Sequence, residues 1–269
     1  MFRSLFLGIL QGLTEFLPVS SSGHLALSQQ IMDMGGETLT FDIILHSATM
    51  LATLIYFREE VLGAIKGWIH GFISGSSRGK PEWILGWAVI TGNIFTVIIA
   101  LFLKPWVEIW IFSSLAVASA LLLTSAILFY ASILTPGTEM LSLRKAVVIG
   151  IAQGFAVIPG LSRSGITIVT AIRMGLSPEK AFSFSFLLSI PAILGANILE
   201  AFSIVRGGTG LQDLPEGWFL GTVAAFFSGY AALIILRTVV TRGKWRGFAF
   251  YCLTVGSLLL VIHFSGGIN

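Results

Sequence analysis

Six long apolar stretches set the strongest limit on how this chain can fold. Each is 17 to 25 residues long, and they occupy residues 41–57, 84–103, 110–134, 181–204, 217–236 and 247–265. A helix needs about 20 mostly apolar residues to cross the hydrocarbon core of a bilayer. Only 11% of the residues are charged, less than half the roughly 25% of soluble domains. The sequence therefore indicates an all-α integral membrane protein with six transmembrane helices, and it excludes soluble globular and disordered classes.

Two further apolar stretches are interrupted by polar residues. Residues 4–32 contain Glu15 and three consecutive serines, and residues 146–174 contain Pro159 and Arg163. Each pattern predicts a half-helix, a non-helical elbow and a second half-helix. Such backbone is tolerated at membrane depth only where protein or a water-filled cavity satisfies its polar groups. We therefore predict two re-entrant helical hairpins. The alternative for the first stretch is a cleaved signal peptide, against which Glu15 argues.

The two interrupted stretches resemble each other. Residues 8–24 align without gaps with residues 150–166, and 7 of the 17 positions are identical. Each half of the chain then holds one hairpin and three spans, and because three is odd, the second half enters the membrane from the opposite side. The sequence predicts a single membrane domain over residues 1–269, built from a repeat at 1–140 and an inverted-topology repeat at 141–269.

Lysine and arginine fall mostly on one side of this topology. Arg3, Lys104 and Arg206 lie on the sparse side, and Arg163, in the second elbow, is counted with neither. The twelve on the other side are Arg58, Lys66, Arg78, Lys80, Arg144, Lys145, Arg173, Lys180, Arg237, Arg242, Lys244 and Arg246. The basic-rich side is predicted to be cytoplasmic, with both termini extracytoplasmic. This orientation signal explains the pI of 9.2, so we expect no nucleic-acid partner.

The first half-helix carries a carboxylate toward the membrane interior. Gln11 and Glu15 are four residues apart and therefore project from one helix face. A carboxylate at this depth costs roughly 3 kcal/mol or more unless it is paired, hydrated or bound to a metal. Glu15 is therefore a candidate general base or cation ligand, and the alternative is a structural ion pair with Arg163.

The serines that follow predict an anion site at the start of a helix. Ser20, Ser21 and Ser22 precede the second half-helix, whose first backbone N–H groups point into the elbow. His24 lies in its first turn, where it is a candidate nucleophile, acid or base near neutral pH, or else a capping histidine.

The second elbow repeats this pattern and adds a guanidinium. Ser162 and Ser164 flank Arg163, whose donor fork suits bidentate recognition of phosphate, although a snorkelling arginine is the alternative. Thr167, one turn further, is more weakly placed. In the first span, Asp42 and His46 fit either the lining of the same cavity or, respectively, a helix start and a packed histidine.

Together these groups predict binding of a phosphate-bearing headgroup and transfer of its phosphoryl group. A divalent cation, Mg²⁺ or Ca²⁺, held at Glu15 would offset the charge of the phosphates. Because the headgroup is recognised at membrane depth with no soluble domain, we expect a lipid-linked substrate. Inverted repeats with broken helices also occur in transporters, so a transporter or flippase of phosphorylated lipid is the alternative.

Two signatures resemble those of the undecaprenyl-pyrophosphate phosphatase family of the bacitracin-resistance type. The first is Gln11 through His24, containing Phe-Leu-Pro-Val-Ser-Ser and Gly-His, and the second is Pro-Gly-x-Ser-Arg-Ser at Pro159 through Ser164. The resemblance implies a plasma-membrane enzyme that hydrolyses undecaprenyl or another polyprenyl pyrophosphate to the monophosphate and phosphate. This reaction recycles the lipid carrier for cell-wall synthesis. The oligomeric state stays open, a homodimer included.

The resemblance also implies roles for individual residues. Glu15 would be the metal-associated carboxylate with Gln11, where many members have Glu, in a helper position. Ser21 and His24 would be candidates for nucleophile and acid or base, and an activated water is a third candidate for the attacking group. Arg163 would clamp the phosphate. The remaining substrate-binding candidates are Ser20, Ser22, Ser162, Ser164 and Thr167.

Overall fold

The protein is a bundle of helices in which short and long members alternate. The computed structural model describes residues 1–32, 38–110, 113–207 and 214–265. In these ranges it contains eleven α-helices, a 3₁₀ turn at Gly75–Ser77 and no strand. The helices are α1 (Phe2–Phe16), α2 (Ser21–Ile31), α3 (Thr38–Tyr56), α4 (Arg58–Ile73), α5 (Pro81–Trp110), α6 (Ser114–Ala131), α7 (Leu143–Phe155), α8 (Arg163–Arg173), α9 (Pro178–Gly207), α10 (Trp218–Thr241) and α11 (Arg246–Phe264).

Six of these helices are long and apolar enough to cross a membrane, namely α3, α5, α6, α9, α10 and α11. They coincide with the six predicted stretches, so the prediction of an all-α multi-pass membrane protein is confirmed. Helix α5 is longer than its predicted span of 84–103, because its 30 residues continue through Pro105. The predicted span 110–134 corresponds to α6, and residues 111–112 at its beginning lie outside the described residues.

Both interrupted stretches contain the predicted break between two helices. Residues 17–20 separate α1 from α2, and residues 156–162 separate α7 from α8. Helices α2 and α8 have 11 residues each and are therefore about 16 Å long, too short for a hydrocarbon core of about 30 Å. Both begin inside the serine-glycine run rather than after it. The re-entrant course of the hairpins stays a prediction.

The first limb of each hairpin packs closely on a long helix from the other half of the chain. Helix α1 packs along α10, and α7 packs along α5. A Cβ atom on Gly8 would lie 2.0 Å from the carbonyl oxygen of Gly221, and one on Gly150 would lie 2.1 Å from that of Gly92. Such contact requires glycine. In each case a hairpin limb of one half packs on a spanning helix of the other half, as expected if the two halves are related. The inverted relation of the halves stays a prediction.

Four phenylalanines form a tightly packed group inside the bundle. Phe16, Phe57, Phe182 and Phe186 are at most 2% exposed. Their rings contact one another, and the Phe16–Phe186 and Phe57–Phe186 centroids are 5.6 and 5.7 Å apart. We call this group the phenylalanine layer. The layer joins α1 to α9 and to Phe57, which lies between α3 and α4.

Candidate active site

The two elbows meet directly, as the sequence predicts. The backbone N–H of Gly160 donates a hydrogen bond of 3.1 Å to the hydroxyl oxygen of Ser20, 140 positions earlier in the chain. Thr124 of α6 ties the second elbow further: its hydroxyl donates to the Gly160 carbonyl and accepts from the Ser162 N–H, both at 3.0 Å. These bonds fix the second elbow against the first and bring the starts of α2 and α8 together.

The first elbow contains an unusual backbone conformation. Ser20 has a φ of 69°, in the left-handed region that residues other than glycine rarely adopt. Strain of this kind costs on the order of 1–3 kcal/mol and is concentrated at functional sites. The equivalent serine of the second half, Ser162, instead caps its own helix and accepts from the Gly165 N–H at 3.1 Å. Ser20 therefore connects the elbows, whereas Ser162 stabilises the start of α8.

Glu15 is the centre of the polar contacts. Its side chain is 6% exposed, and the Arg163 Nη2 donates to its Oε1 at 2.5 Å. The Ser21 hydroxyl and the Gln11 amide donate to Oε2 at 2.8 and 3.0 Å. The His46 Nε2 lies 3.6 Å from the same oxygen. The ion pair that the sequence offered as an alternative is thus present, and it keeps two buried charges compensated.

Ser21 and Arg163 occupy equivalent positions in the two halves. Each is the first residue of the second limb of its hairpin, and each binds one oxygen of the Glu15 carboxylate. At aligned positions of the two elbows, the chain therefore has two different side chains, a hydroxyl and a guanidinium, that bind the same carboxylate.

Arg163 keeps a donor for a second anion. Its Nη1 is buried and has no hydrogen-bond partner among the described residues. Such an unsatisfied group costs about 1–3 kcal/mol, more when it is charged. The guanidinium begins α8, so the positive end of that helix dipole lies beside it. The arrangement fits a phosphate oxygen bound at Nη1 while Nη2 remains on Glu15.

These groups line a cavity of about 290 Å³, which we call the elbow cavity. Its walls come from both elbows and from α3, α5, α7 and α9. The polar side chains that line it are Thr14, Glu15, Ser20, Ser21, Ser22, His46, Thr96, Gln153, Ser162, Arg163 and Ser189. Ala192, Ile193 and Ala196 of α9 add an apolar wall. The cavity thus combines an arginine and several hydroxyl groups, which are of the kind that can bind phosphate, with an apolar boundary.

His24 is turned away from the elbow cavity. Its Nδ1 lies 2.8 Å from the Ser20 carbonyl oxygen, and its Nε2 lies 2.7 Å from the Tyr251 hydroxyl. The ring also stacks on Tyr251. Because the carbonyl lies four residues before His24 in the chain, it holds the ring along α2 and away from Glu15. The structure therefore places His24 beside the first elbow without bringing it to the carboxylate.

Two other predicted residues have structural partners. Thr167 is fully buried, donates to the Arg163 carbonyl at 2.8 Å and lies 2.5 Å from the Ser185 hydroxyl. Ser164 is buried with its hydroxyl 3.3 Å from that of Ser162. Neither lines the elbow cavity, so both support α8 rather than face a ligand. Ser22 lines the cavity and is exposed.

The structure adds Gln153 to the predicted site and places His46 in the lining of the elbow cavity, one of the two alternatives for that residue, whereas Asp42 does not line it. His46 Nδ1 donates to the Asp42 carbonyl at 2.8 Å, which leaves Nε2 directed toward Glu15. Gln153 aligns with Gln11 in the repeat. Its amide nitrogen donates to the Thr96 hydroxyl oxygen at 3.2 Å, and its Oε1 is buried without a hydrogen-bond partner among the described residues. The identity of the two glutamines in the aligned repeats was the signal that could have identified Gln153.

The described residues offer few metal ligands. They contain no group of three or more His, Cys, Asp or Glu side chains that could hold a metal ion. Glu15 provides a carboxylate, and the buried Oε1 of Gln11 has no hydrogen-bond partner in that part of the chain. Mg²⁺ commonly binds through one or two carboxylates together with substrate phosphates. These donors fit a cation that arrives with a phosphorylated substrate.

Comparisons with known proteins identify the family of this chain. A family model described as "Bacitracin resistance protein BacA" matches residues 4–258. A protein named undecaprenyl-diphosphatase from Korarchaeum cryptofilum is 39% identical over 261 residues, covering 96% of this chain and 97% of its own. Its namesake from Carboxydothermus hydrogenoformans is 38% identical over 269 residues, covering 98% of each. Because these matches extend over nearly the whole length, both elbows included, the chain belongs to the bacitracin resistance protein BacA family.

Proposed function

We propose that this protein hydrolyses undecaprenyl pyrophosphate, or a related polyprenyl pyrophosphate, to the lipid monophosphate and inorganic phosphate. The reaction would recycle the lipid carrier for cell-wall synthesis. The names of the relatives support this activity over the transporter alternative. The observation that carries the proposal is the buried Glu15–Arg163 pair beside a polar cavity, in which one buried guanidinium nitrogen has no partner among the described residues.

The contacts assign distinct tasks to the two ends of the site. Arg163 binds the phosphate through Nη1 and the N-terminal N–H groups of α8, and its Nη2 keeps the guanidinium oriented on Glu15. Ser20 and Ser22 line the same cavity and supply further hydroxyl donors. The apolar wall of α9 faces the part of the substrate where the prenyl chain begins.

Glu15 and Ser21 form the reactive pair. The Ser21 hydroxyl already donates to Glu15 at 2.8 Å, so the carboxylate is placed to accept its proton. Attack of the Ser21 oxygen on the terminal phosphorus would break the bond to the bridging oxygen, release the lipid monophosphate and leave a phosphoserine for water to hydrolyse. The alternative is a water molecule that Glu15 activates in the same place. His24 is a weaker candidate because both ring nitrogens have other partners.

A divalent cation, Mg²⁺ or Ca²⁺, would be held by Glu15 and the Gln11 Oε1 together with the substrate phosphates. When bound, it would offset the phosphate charge and make the terminal phosphorus more electrophilic. Gln11 also holds the carboxylate in place through its amide group.

We further propose that the protein lies in the plasma membrane with both termini on the extracytoplasmic side. The distribution of twelve against three basic residues supports this orientation. In the inverted-repeat arrangement the first hairpin enters from that side, and the elbow cavity opens toward it. Attachment of a membrane-impermeant thiol label to Phe2→Cys from outside intact cells would support this topology, and labelling only after permeabilisation would refute it.

The activity is tested by phosphate release from farnesyl pyrophosphate, with the purified protein in detergent and Mg²⁺ present. Arg163→Ala is expected to lower turnover by on the order of 10²-fold or more, as loss of a key charge-stabilising donor does. Arg173→Ala is the control, because that arginine is exposed at the other end of the same helix. Undiminished turnover in Arg163→Ala would refute the site, and lipid transport without phosphate release would refute the phosphatase.

A further inference from the structure

A second, larger polar cavity lies apart from the elbow cavity. It has a volume of about 680 Å³ and is formed where the end of α3 and the start of α4 meet the start of α9 and the end of α10. Arg58, Arg237 and Arg242 all line it. We call it the arginine cavity. It lies between the two halves of the chain, and all three arginines belong to the basic-rich side of the predicted topology.

The three guanidiniums have no carboxylate partner in the described part of the chain. Glu59, Glu60 and Glu179 also line the cavity, but no ion pair joins any of the six charged groups there. The glutamates lie in the first turns of α4 and α9, where the helix dipole stabilises a negative charge. Their position therefore has a local explanation. The three guanidiniums are exposed and contribute to the basic-rich side, but that signal does not account for their meeting around one cavity.

Neutral donors accompany the guanidiniums. The hydroxyl-bearing residues Tyr56, Tyr230 and Ser183 line the same cavity. Arginine side chains with hydroxyl groups are the donor set that recognises phosphate oxygens, since each guanidinium offers a planar fork of N–H groups. Basic pockets between transmembrane helices commonly bind phosphorylated lipid headgroups.

We propose that the arginine cavity is a second phosphate-binding site, which takes a phosphate monoester at a lipid headgroup or free inorganic phosphate. It is separate from the elbow cavity, because no described residue lines both cavities. Phe57 and Phe182 of the phenylalanine layer line the arginine cavity, and their rings pack on Phe186, which contacts the ring of Phe16.

The test measures binding of farnesyl monophosphate to the purified full-length protein by native mass spectrometry. We expect two bound molecules on the unmodified protein. The triple variant Arg58→Gln, Arg237→Gln, Arg242→Gln should lose one of them, with its Kd raised by on the order of tenfold or more. The triple variant Arg144→Gln, Arg173→Gln, Arg246→Gln is the control, because it removes the same charge from exposed positions on the same side outside this cavity.

Phosphate release from farnesyl pyrophosphate reports whether each variant is folded, since neither triple variant touches the elbow cavity. Should the first triple variant lose this activity, the single variant Arg242→Gln replaces it. Competition identifies the source of the phosphate: displacement by equimolar inorganic phosphate indicates the free ion, and resistance to it indicates a lipid headgroup. The proposal is overturned if the unmodified protein binds no farnesyl monophosphate, if the cavity variant binds as many molecules as the unmodified protein with unchanged Kd, or if the control variant weakens binding equally.

Discussion

Separating the stabilising and reactive roles of Glu15 and Arg163 requires a double-mutant cycle. The variants are Glu15→Gln, Arg163→Met and the two combined. Each single variant leaves one charge without its partner inside the bundle, where the side chains are 6% and 16% exposed. Breaking a buried pair in this way costs about 3–5 kcal/mol. Because the amide oxygen of the substituted glutamine side chain would still accept one hydrogen bond from Arg163, we expect about 3 kcal/mol for Glu15→Gln.

The double variant should recover much of this loss. It removes both charges, so no uncompensated ion remains, and its destabilisation should be at least about 2 kcal/mol smaller than the sum of the two single effects. Reversible unfolding in mixed detergent micelles, followed by tryptophan fluorescence, measures all three free energies of unfolding. The exposed pair Lys104–Glu108 provides a control, since its charges are 3.8 Å apart and 68% and 65% exposed.

A cycle at the control pair should give a coupling of less than about 1 kcal/mol. Phosphate release should be abolished in all three variants of the buried pair, including the double variant that recovers stability. Additive destabilisation at Glu15 and Arg163 would show that the two charges do not compensate each other in the folded protein. Activity in the stabilised double variant would show that the pair is structural.

The remaining predictions compare two pairs of residues. Ser21 and Ser22 differ in contact with Glu15, and His46 and His24 differ in whether they line the elbow cavity. Ser21→Ala should lower phosphate release by on the order of 10²-fold, since it removes the hydroxyl bound to Glu15. Ser22→Ala should cost no more than about threefold, since it removes one exposed cavity hydroxyl that does not bind Glu15. A phosphoserine trapped at Ser21 by acid quenching would identify the attacking atom. His46→Ala should reduce turnover more than His24→Ala does, because only His46 lines the cavity; the reverse order in the same assay would restore His24 to the site.

The spans and the central ion pair could be predicted because each follows from a strong local rule. A long apolar run has only one stable arrangement in a bilayer, and the helices match those runs. A carboxylate and a guanidinium in two interrupted stretches have few other ways to remain charged inside the membrane, and Glu15 and Arg163 are paired.

The orientation of the histidines could not be predicted by such rules. The first elbow turns through the left-handed conformation of Ser20, and serine does not signal a positive φ in a sequence. That turn decides which face of α2 meets the cavity, and it turns His24 toward Tyr251. Thr124 was missed for a different reason: a hydroxyl in an apolar span usually binds a carbonyl of its own helix, whereas this one binds the second elbow.

The duplication explains why the two elbows look alike in sequence and act differently in the site. Ser20 and Ser162 are equivalent, yet one bridges the elbows and the other caps a helix. Ser21 and Arg163 are equivalent, yet one presents a hydroxyl and the other a charge to the same carboxylate. In the proposed site, the difference between Ser21 and Arg163 places a nucleophile and a phosphate clamp at equivalent points of the two halves. Their shared partner Glu15 has no counterpart, because the second half has Val157 at the aligned position. Divergence at both positions therefore allows the proposed site to combine a nucleophile, its proton acceptor and a phosphate clamp around one cavity.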